Sequence, residues 1–287
     1  MSLVSQKTKI KIFDNNFRPN ITMSSKGIPK HIEWKFITDE KDLEENDVVV
    51  YTDQCLKFAI NHKVGKKIAW ILEPPVIHKY PYDYIKDNSN EFDLVMNFCT
   101  DFLKECIRGT YIPNILSFID PVDQKIHKKL KLVSLIFSKK TKSKNHRFRQ
   151  NIINFVQKEQ LNIDTYGAIV NNFVVNKIDS LKDYMYHIVV ENCNIDGYYS
   201  EKTLDCFLTG TIPIIYGKSC ICNVYDKNGI YFFNTLSELK NILLIISDKD
   251  YDSKLKYINK NYLLSKKYPV VEDYIYENYI HFFKTGS

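Results

Sequence analysis

The chain has 287 residues, of which 44% are hydrophobic and 26% are charged. This composition excludes a disordered or fibrous protein, and the length is sufficient for two domains of ordinary size. The net charge of +6 is small and spread along the chain, and no nucleic-acid-binding motif accompanies it. We therefore expect a globular protein without a nucleic-acid partner.

The cellular setting follows from apolar segments and cysteines. No apolar segment near the amino terminus has signal-peptide length, and apolar runs such as 242–246 are too short to span a bilayer. Seven irregularly spaced cysteines without a C-x-x-C motif predict reduced thiols. We expect a cytoplasmic protein with no transmembrane segment, for which peripheral membrane contact stays open.

The basic stretches 125–131 and 139–149 predict solvated faces or linkers, with an anionic partner as the alternative.

The first part of the chain alternates short apolar segments with stretches of helix length. The predicted strands are residues 9–13, 47–52, 67–72, 92–98 and 109–112. Apolar strands with helix-length connections are typical of a parallel sheet that is covered on both faces. We therefore predict an α/β domain over residues 1–128.

The same pattern restarts after a basic segment. The predicted elements here are a helix over 147–160 and strands over 131–137, 163–166, 187–190 and 211–216. We predict a second α/β domain over residues 129–262. A helical tail follows over 263–287, and its return to the first domain would suit a two-domain enzyme.

Polar residues follow the predicted strand 187–190 directly, as Glu191 and Asn192. Polar side chains at the carboxyl end of a parallel strand point into the ligand crevice of an open α/β sheet. These two residues are therefore candidates for a binding site, and the alternative for Glu191 is that its carboxylate caps a neighbouring helix.

A helix is predicted to begin after Ser200, with Glu201 and Lys202 in its first turn and Gly210 as its C-cap. The free N–H groups and the positive dipole end of this helix favour anions, and Lys202 adds a full positive charge. Glu201 can accept hydrogen bonds from ribose or sugar hydroxyls. This chemistry suits a diphosphate and a sugar, whereas the alternative is a charged pair on a solvated helix.

This segment resembles the signature of glycosyltransferase family 10, the α-1,3/1,4-fucosyltransferases. The matching residues are Glu191, Asn192, Tyr199, Ser200, Glu201, Lys202, Asp205, Pro213 and Gly217. Ser200 stands where the family usually has Thr, Val190 replaces an aromatic residue, and Tyr216 replaces Trp or Leu. Asp205 is interpreted as structural.

The resemblance continues more weakly upstream, with S-K-K at 138–140 and H-R-F-R at 146–149. In the family, an arginine that opens the following helix contacts the donor diphosphate. Arg149 is the best match for it, and Arg147 is the alternative. A guanidinium group suits bidentate phosphate recognition. The alternative is that Arg149 is an ordinary surface arginine.

In the first domain, the segment W-I-L-E-P-P is similar to the E-x-P segment that carries the family's proposed general base. The resemblance therefore implies that Glu73 is the catalytic base. Its position at the end of an apolar strand agrees with a crevice residue. The alternative is an ordinary turn residue before two prolines.

The resemblance implies a GT-B enzyme, with two Rossmann-like domains that face a central cleft. It implies inverting transfer of fucose from GDP-fucose to a hydroxyl of a glycan acceptor. Arg149 and Lys202 would bind the diphosphate, Glu201 and Glu191 would hold hydroxyls, and Tyr199 would line the donor pocket.

No metal site and no required cofactor are expected, and a divalent cation could only assist the cationic side chains. The D-x-D-like run of Asp248, Asp250 and Asp252 is interpreted as a solvated loop. Two alternatives stay open for the function. One is the same fold with a different nucleotide-sugar donor, and the other is a non-catalytic protein that binds a nucleotide sugar.

Overall fold

A computed structural model describes residues 7–14, 26–217, 220–268 and 270–283. The chain divides into two compact units. The first consists of Met1–Leu116 with Val270–Ser287, and the second is Ser117–Pro269. Each unit is built around a parallel sheet with helices, so the predicted α/β class is confirmed. No helix among the described residues is long and apolar enough to cross a membrane.

The first unit contains a six-stranded parallel sheet with the order β2-β1-β3-β4-β5-β6. Its strands are β1 (Thr8–Phe13), β2 (Ile32–Phe36), β3 (Val48–Thr52), β4 (Lys66–Trp70), β5 (Leu94–Asn97) and β6 (Gly109–Tyr111). Five of the six coincide with predicted strands. Strand β2 was missed because I-E-W-K-F alternates buried and accessible residues at the sheet edge and has no continuous apolar run.

Apolar side chains cover both faces of this sheet. One face packs against helix α1 (Tyr80–Asn88), helix α2 (Thr100–Lys104) and the 3-10 helix Asp53–Asn61. The other face packs against helix α8 (Val271–Tyr279) near the carboxyl terminus. Burial on both faces is the condition for a stable all-parallel sheet.

Helix α8 is held to the first unit by polar contacts as well as by apolar ones. The indole Nε1 of Trp34 donates to Glu272 Oε1 at 3.0 Å, and the backbone N–H of Lys30 donates to Asp273 Oδ1 at 2.9 Å. Both acceptor residues are buried. Helix α8 accordingly belongs to the first compact unit, whereas Ser117–Pro269 form the second.

The second unit contains a five-stranded parallel sheet with the order β11-β10-β9-β7-β8. Its strands are β7 (Lys131–Ile136), β8 (Asp164–Tyr166), β9 (Tyr184–Val189), β10 (Ile212–Tyr216) and β11 (Tyr231–Phe233). The helices are α3 (Lys144–Lys158), α4 (Glu201–Thr209), α5 (Leu236–Ile245), α6 (Asp248–Ser253) and α7 (Leu255–Lys267). Gly210 ends α4 in the left-handed region at φ +73°, so the predicted C-cap is confirmed.

The boundary before the second unit lies after Leu116 rather than near residue 128. The reason is a buried carboxylate on α4. Asp205 accepts hydrogen bonds from Ser117 Oγ at 2.7 Å and from the backbone N–H of Phe118 at 3.2 Å, and it pairs with Lys177 at 2.6 Å. These contacts hold the start of the connecting segment on the second unit. The structural interpretation of Asp205 agrees with this geometry.

The interpretation of Asp248, Asp250 and Asp252 as a solvated loop is wrong, because these residues lie on helix α6. Asp250 Oδ2 accepts hydrogen bonds from the hydroxyls of Tyr186 at 2.6 Å and Tyr231 at 2.9 Å. The carboxylate therefore satisfies two tyrosines from β9 and β11, the strands on either side of β10 in the sheet.

Candidate functional site

The buried carboxylate of Glu191 organises the amino-terminus of helix α4. Glu191 follows β9, is 4% exposed, and accepts from Ser200 N at 3.0 Å, Ser200 Oγ at 2.6 Å and Thr203 Oγ1 at 2.8 Å. Both carboxylate oxygens are thus used by donors of the first helical turn. The geometry corresponds to the helix-capping alternative for Glu191, since a carboxylate at this position satisfies exposed helix donors and the dipole.

Three polar side chains crowd the start of α4. The Oγ of Ser200 accepts from Lys202 N at 3.3 Å, which makes Ser200 the N-cap as predicted. The ammonium of Lys202 lies 3.0 Å from Glu201 Oε1, 3.1 Å from Ser200 Oγ and 3.7 Å from Glu191 Oε2. The side chain of Lys202 is 26% exposed, so its charge is held by carboxylates and remains accessible.

The carboxyl group of Glu201 is ionised across the neutral pH range. Burial acts to raise its pKa, but the charges of Lys202 and Lys177, together with hydrogen bonds from Lys202 and Ser200, lower the pKa to about 2. Glu201 therefore presents acceptor oxygens only, which is the form that binds hydroxyl donors.

Helix α3 brings Arg149 to the end of β9. Arg149 is 3% exposed, and its Nη2 donates to the carbonyl of Val190 at 2.6 Å and to Asn192 Oδ1 at 3.1 Å. Within the described part of the chain, its buried Nε has no hydrogen-bond partner. Arg149 is therefore not a surface arginine, and a guanidinium nitrogen remains available for an acceptor.

His146, which the sequence analysis did not select, joins the same network. Ser143 and His146 form a capping box at the start of α3, in which Ser143 N donates to His146 Nδ1 at 3.3 Å. Because Nδ1 is an acceptor, Nε2 carries the proton and donates to Asn192 Oδ1 at 3.0 Å. Burial lowers the pKa of His146, and the nearby charges of Arg149 and Lys202 act in the same direction. Asn192 thus links α3 to the end of β9.

Gly217 closes the motif at the end of β10, where its φ is +91°. A Cβ atom there would lie 2.3 Å from Nδ2 of Asn194. The Asn194 side chain is itself held by Asn145, whose Nδ2 donates to Asn194 Oδ1 at 2.9 Å. The glycine at this position therefore lets the end of β10 approach the segment that follows β9.

Arg147, the alternative to Arg149, points elsewhere on α3. It is exposed, and its Nη1 donates to the carbonyl of Thr141 at 3.2 Å. Arg147 lines a pocket of about 480 Å³ together with Lys139, Lys140 and His146. The basic stretch around residues 139–149 thus surrounds a cavity that shares His146 with the network at the end of β9.

Tyr199 belongs to the apolar core of the second unit. It is 3% exposed, and its ring lies edge-on to Tyr225 at a centroid distance of 6.1 Å. The same cluster contains Leu204 and Phe207 from α4. The ring therefore helps to seat α4 on the sheet.

Glu73 lies in the first unit, just beyond the end of β4, and its side chain is exposed. Its backbone carbonyl accepts from the hydroxyl of Tyr82 at 3.0 Å, and the following turn closes through His78 N, which donates to the carbonyl of Pro74 at 3.0 Å. Asn97 at the end of β5 donates to the carbonyl of Ile71 at 2.9 Å. The carboxylate thus stands at the carboxyl edge of the sheet on a turn with several backbone anchors.

The described ranges contain no group of three or more His, Cys, Asp or Glu side chains that could hold a metal ion. The groups that gather at the end of β9 are two cations, a neutral histidine and two carboxylates. Such a set can bind an anion and hydroxyl groups through hydrogen bonds and charge.

The fold resembles solved glycosyltransferases of the GT-B type. The superposition on a crystal structure of α1,3-fucosyltransferase has a TM-score of 0.59 and 15% sequence identity. It includes 100% of this chain and 95% of the fucosyltransferase chain. A crystal structure of α1,3-fucosyltransferase with GDP-fucose gives a TM-score of 0.55 at 15% identity over 91% of this chain and 90% of that one. The structure of Anabaena Alr3699/HepE in complex with UDP-glucose has a TM-score of 0.60 and 10% sequence identity. The superposition includes 95% of this chain and 99% of the Alr3699/HepE chain. The predicted GT-B fold class is confirmed.

The family assignment comes from the second unit. Residues 126–262 match glycosyltransferase family 10 (fucosyltransferase), C-terminal part. A putative fucosyltransferase-like protein of Arabidopsis thaliana is 31% identical over 72 residues, which are 24% of this chain and 14% of that protein. The predicted resemblance to this family is therefore confirmed for residues 126–262.

The capping geometry predicts the behaviour of Glu191→Gln. The substitution removes the negative charge at the start of α4. It also replaces one carboxylate oxygen, which accepts hydrogen bonds from Ser200 or Thr203, with an amide group that can only donate. We expect the unfolding free energy of the ligand-free protein to fall by about 1–3 kcal/mol, as for a lost helix cap and an unsatisfied buried donor. Denaturant titration measures this fall.

The matched control is Glu159→Gln at the end of α3, whose solvent-screened pair with Lys240 should contribute little to stability. Unchanged stability of Glu191→Gln, together with weaker binding of GDP-fucose, would mean that Glu191 contacts the ligand instead of the helix.

Proposed function

We propose that the protein transfers fucose from GDP-fucose to a hydroxyl group of a glycan, with inversion at the anomeric carbon. The observation that carries the proposal is the buried Arg149 Nε, which no acceptor among the described residues satisfies, close to the start of α4. The family match over residues 126–262 supports the choice of a fucosyl donor.

The donor diphosphate is bound by Arg149 and Lys202. The Nε of Arg149 donates to a phosphate oxygen, and Lys202 exchanges a carboxylate contact for the diphosphate at the amino-terminus of α4. Glu201, whose low pKa keeps it ionised, accepts from ribose or sugar hydroxyls. Glu191 and Asn192 position Ser200 and Arg149, respectively, rather than touching the donor.

The transfer step is a displacement at the anomeric carbon of fucose. The acceptor oxygen forms a bond to this carbon while the bond to the diphosphate oxygen breaks, and GDP leaves with the electron pair. Arg149 and Lys202 stabilise the charge that grows on the leaving group. Glu73, on the first unit, takes the proton of the acceptor hydroxyl.

A different nucleotide sugar is the main alternative, since Alr3699/HepE, with UDP-glucose, has a similar fold. A thermal-shift panel of GDP-fucose, GDP-mannose, UDP-glucose and UDP-N-acetylglucosamine separates the donors. We expect the largest rise in melting temperature with GDP-fucose, because ligand that binds the native state stabilises it by mass action. A larger rise with a UDP-sugar would replace the proposed donor.

Lys202→Ala is expected to weaken GDP binding by about ten- to a hundredfold, since a charge-assisted hydrogen bond contributes about 1.5–3 kcal/mol. Isothermal titration calorimetry with GDP measures the change. Lys249→Ala, which removes an exposed lysine on α6, is the matched control and should bind GDP normally. Equal affinities of the two variants would show that Lys202 lies outside the donor site.

Glu73→Gln is expected to lower donor turnover by about a hundredfold or more while GDP affinity is unchanged, because the amide keeps the shape and loses the base. Hydrolysis of GDP-fucose measures turnover without a known acceptor, since water then takes the place of the hydroxyl. Asp101→Asn, at an exposed carboxylate on α2, is the control.

If Glu73→Gln hydrolyses the donor at the rate of the unaltered protein, Glu73 is not the base. A parallel loss of GDP binding would instead assign Glu73 to the donor site or to the fold. Normal GDP binding without hydrolysis in the unaltered protein and without transfer to a library of free oligosaccharides would favour the non-catalytic alternative.

A further inference from the structure

A second carboxylate, that of Asp53, is buried beneath the turn that carries Glu73. Asp53 follows β3, begins the 3-10 helix Asp53–Asn61, and is 1% exposed. Its backbone φ is +39°, in the left-handed region that few non-glycine residues adopt. An isolated buried carboxylate is costly, and so is this backbone conformation, so the surroundings must hold the residue in place.

The contact that holds Asp53 leads directly to Glu73. The backbone N–H of Leu72 donates to Asp53 Oδ1 at 3.0 Å. Leu72 immediately precedes Glu73, so the Asp53 carboxylate fixes the backbone from which the Glu73 side chain extends. The neighbouring Thr52 is anchored as well, because its hydroxyl donates to Asp14 and to the carbonyl of Phe13.

Among the described residues, the carboxylates of Glu73 and Asp14 are the charged groups that shift the pKa of Asp53. Burial raises the pKa of Asp53 to about 7, and the charges of Glu73 and Asp14 act in the same direction, while the backbone N–H of Leu72 opposes them. From the other elements packed here, His78 pairs with Gln54, and Asn97 contributes a neutral amide.

We propose that Asp53 is a positioning residue for Glu73, because it holds the turn on which Glu73 stands and places a second negative charge beside it. The inference rests on the proposed role of Glu73 as the base. A negative charge nearby favours the protonated form of a carboxylate and so makes Glu73 a stronger proton acceptor. The two groups then titrate as a coupled pair rather than independently.

The pH dependence follows from this coupling. Donor turnover by the unaltered protein should rise as the pH passes about 7, where Asp53 loses its proton. Below that pH, Asp53 is neutral and its negative charge beside Glu73 is lost. The folded protein therefore contains a base whose strength depends on the ionisation of a buried neighbour.

Asp53→Asn tests the proposal with little change of shape. Asparagine tolerates the left-handed region, and its side-chain oxygen can still accept from the backbone N–H of Leu72. We expect GDP-fucose hydrolysis at pH 8 to fall about tenfold and the rise near pH 7 to disappear, while GDP affinity stays the same. Asp101→Asn, at an exposed carboxylate of the same unit, is the matched control and should change nothing.

The double variant Asp53→Asn with Glu73→Gln separates this proposal from the proposed base. If Asp53 acts through Glu73, its substitution has no further effect in the Glu73→Gln background. Equal losses in both backgrounds, or no loss from Asp53→Asn alone, would overturn the positioning role. Normal hydrolysis by Glu73→Gln alone would overturn the proposed base, and the positioning role with it.

Protein stability gives a second measurement that does not depend on the donor. The folded-state pKa of Asp53 lies above the unfolded value of about 3.9, so its stabilising contribution is present at low pH and is lost as the pH rises through about 7. The difference between the melting temperatures of Asp53→Asn and the unaltered protein should therefore become more positive from pH 5 to pH 8. An unchanged difference across this range would contradict the buried charge on which the proposal depends.

Discussion

The capping of helix α4 by Glu191 is the interaction on which the candidate donor site depends. The carboxylate joins the end of β9 to the first helical turn through Ser200 and Thr203. Since these donors occupy both of its oxygens, the direction of the helix axis is set relative to the sheet. The amino-terminus of α4, with its dipole and with Lys202, is thereby held at the carboxyl edge of the sheet, where parallel α/β proteins bind ligands.

Positive charge at this edge is distributed so that each cation is partly compensated in the ligand-free protein. Lys202 lies against two carboxylates, and Arg149 is held by a carbonyl and by Asn192. His146 stays neutral because it is buried among cations. If the site binds a diphosphate as proposed, the ligand would replace these contacts without a new arrangement of the helices, which would lower the cost of binding.

The first unit shares the parallel-sheet architecture of the second but places carboxylates at the carboxyl edge of its sheet. Its parallel strands also end in polar residues, and the carboxylates of Asp14 and Glu73 both act to raise the pKa of Asp53. Mutual repulsion and burial favour proton uptake there, whereas the second unit favours anion binding. The proposed roles, a base in the first unit and a donor site in the second, are consistent with the sign of the charge at each sheet edge.

The sequence by itself determined most strands, the helix caps of α4 and the family signature, because periodicity, capping residues and motif spacing are local properties. Tertiary structure alone decided that Glu191 caps a helix, that Tyr199 lies in the core, and that α8 completes the first unit. It also decided the burial of Asp53 under Glu73, for which the sequence gives no periodic signal. Burial, partner choice and pKa depend on residues distant in the chain, and local patterns do not encode which of them meet.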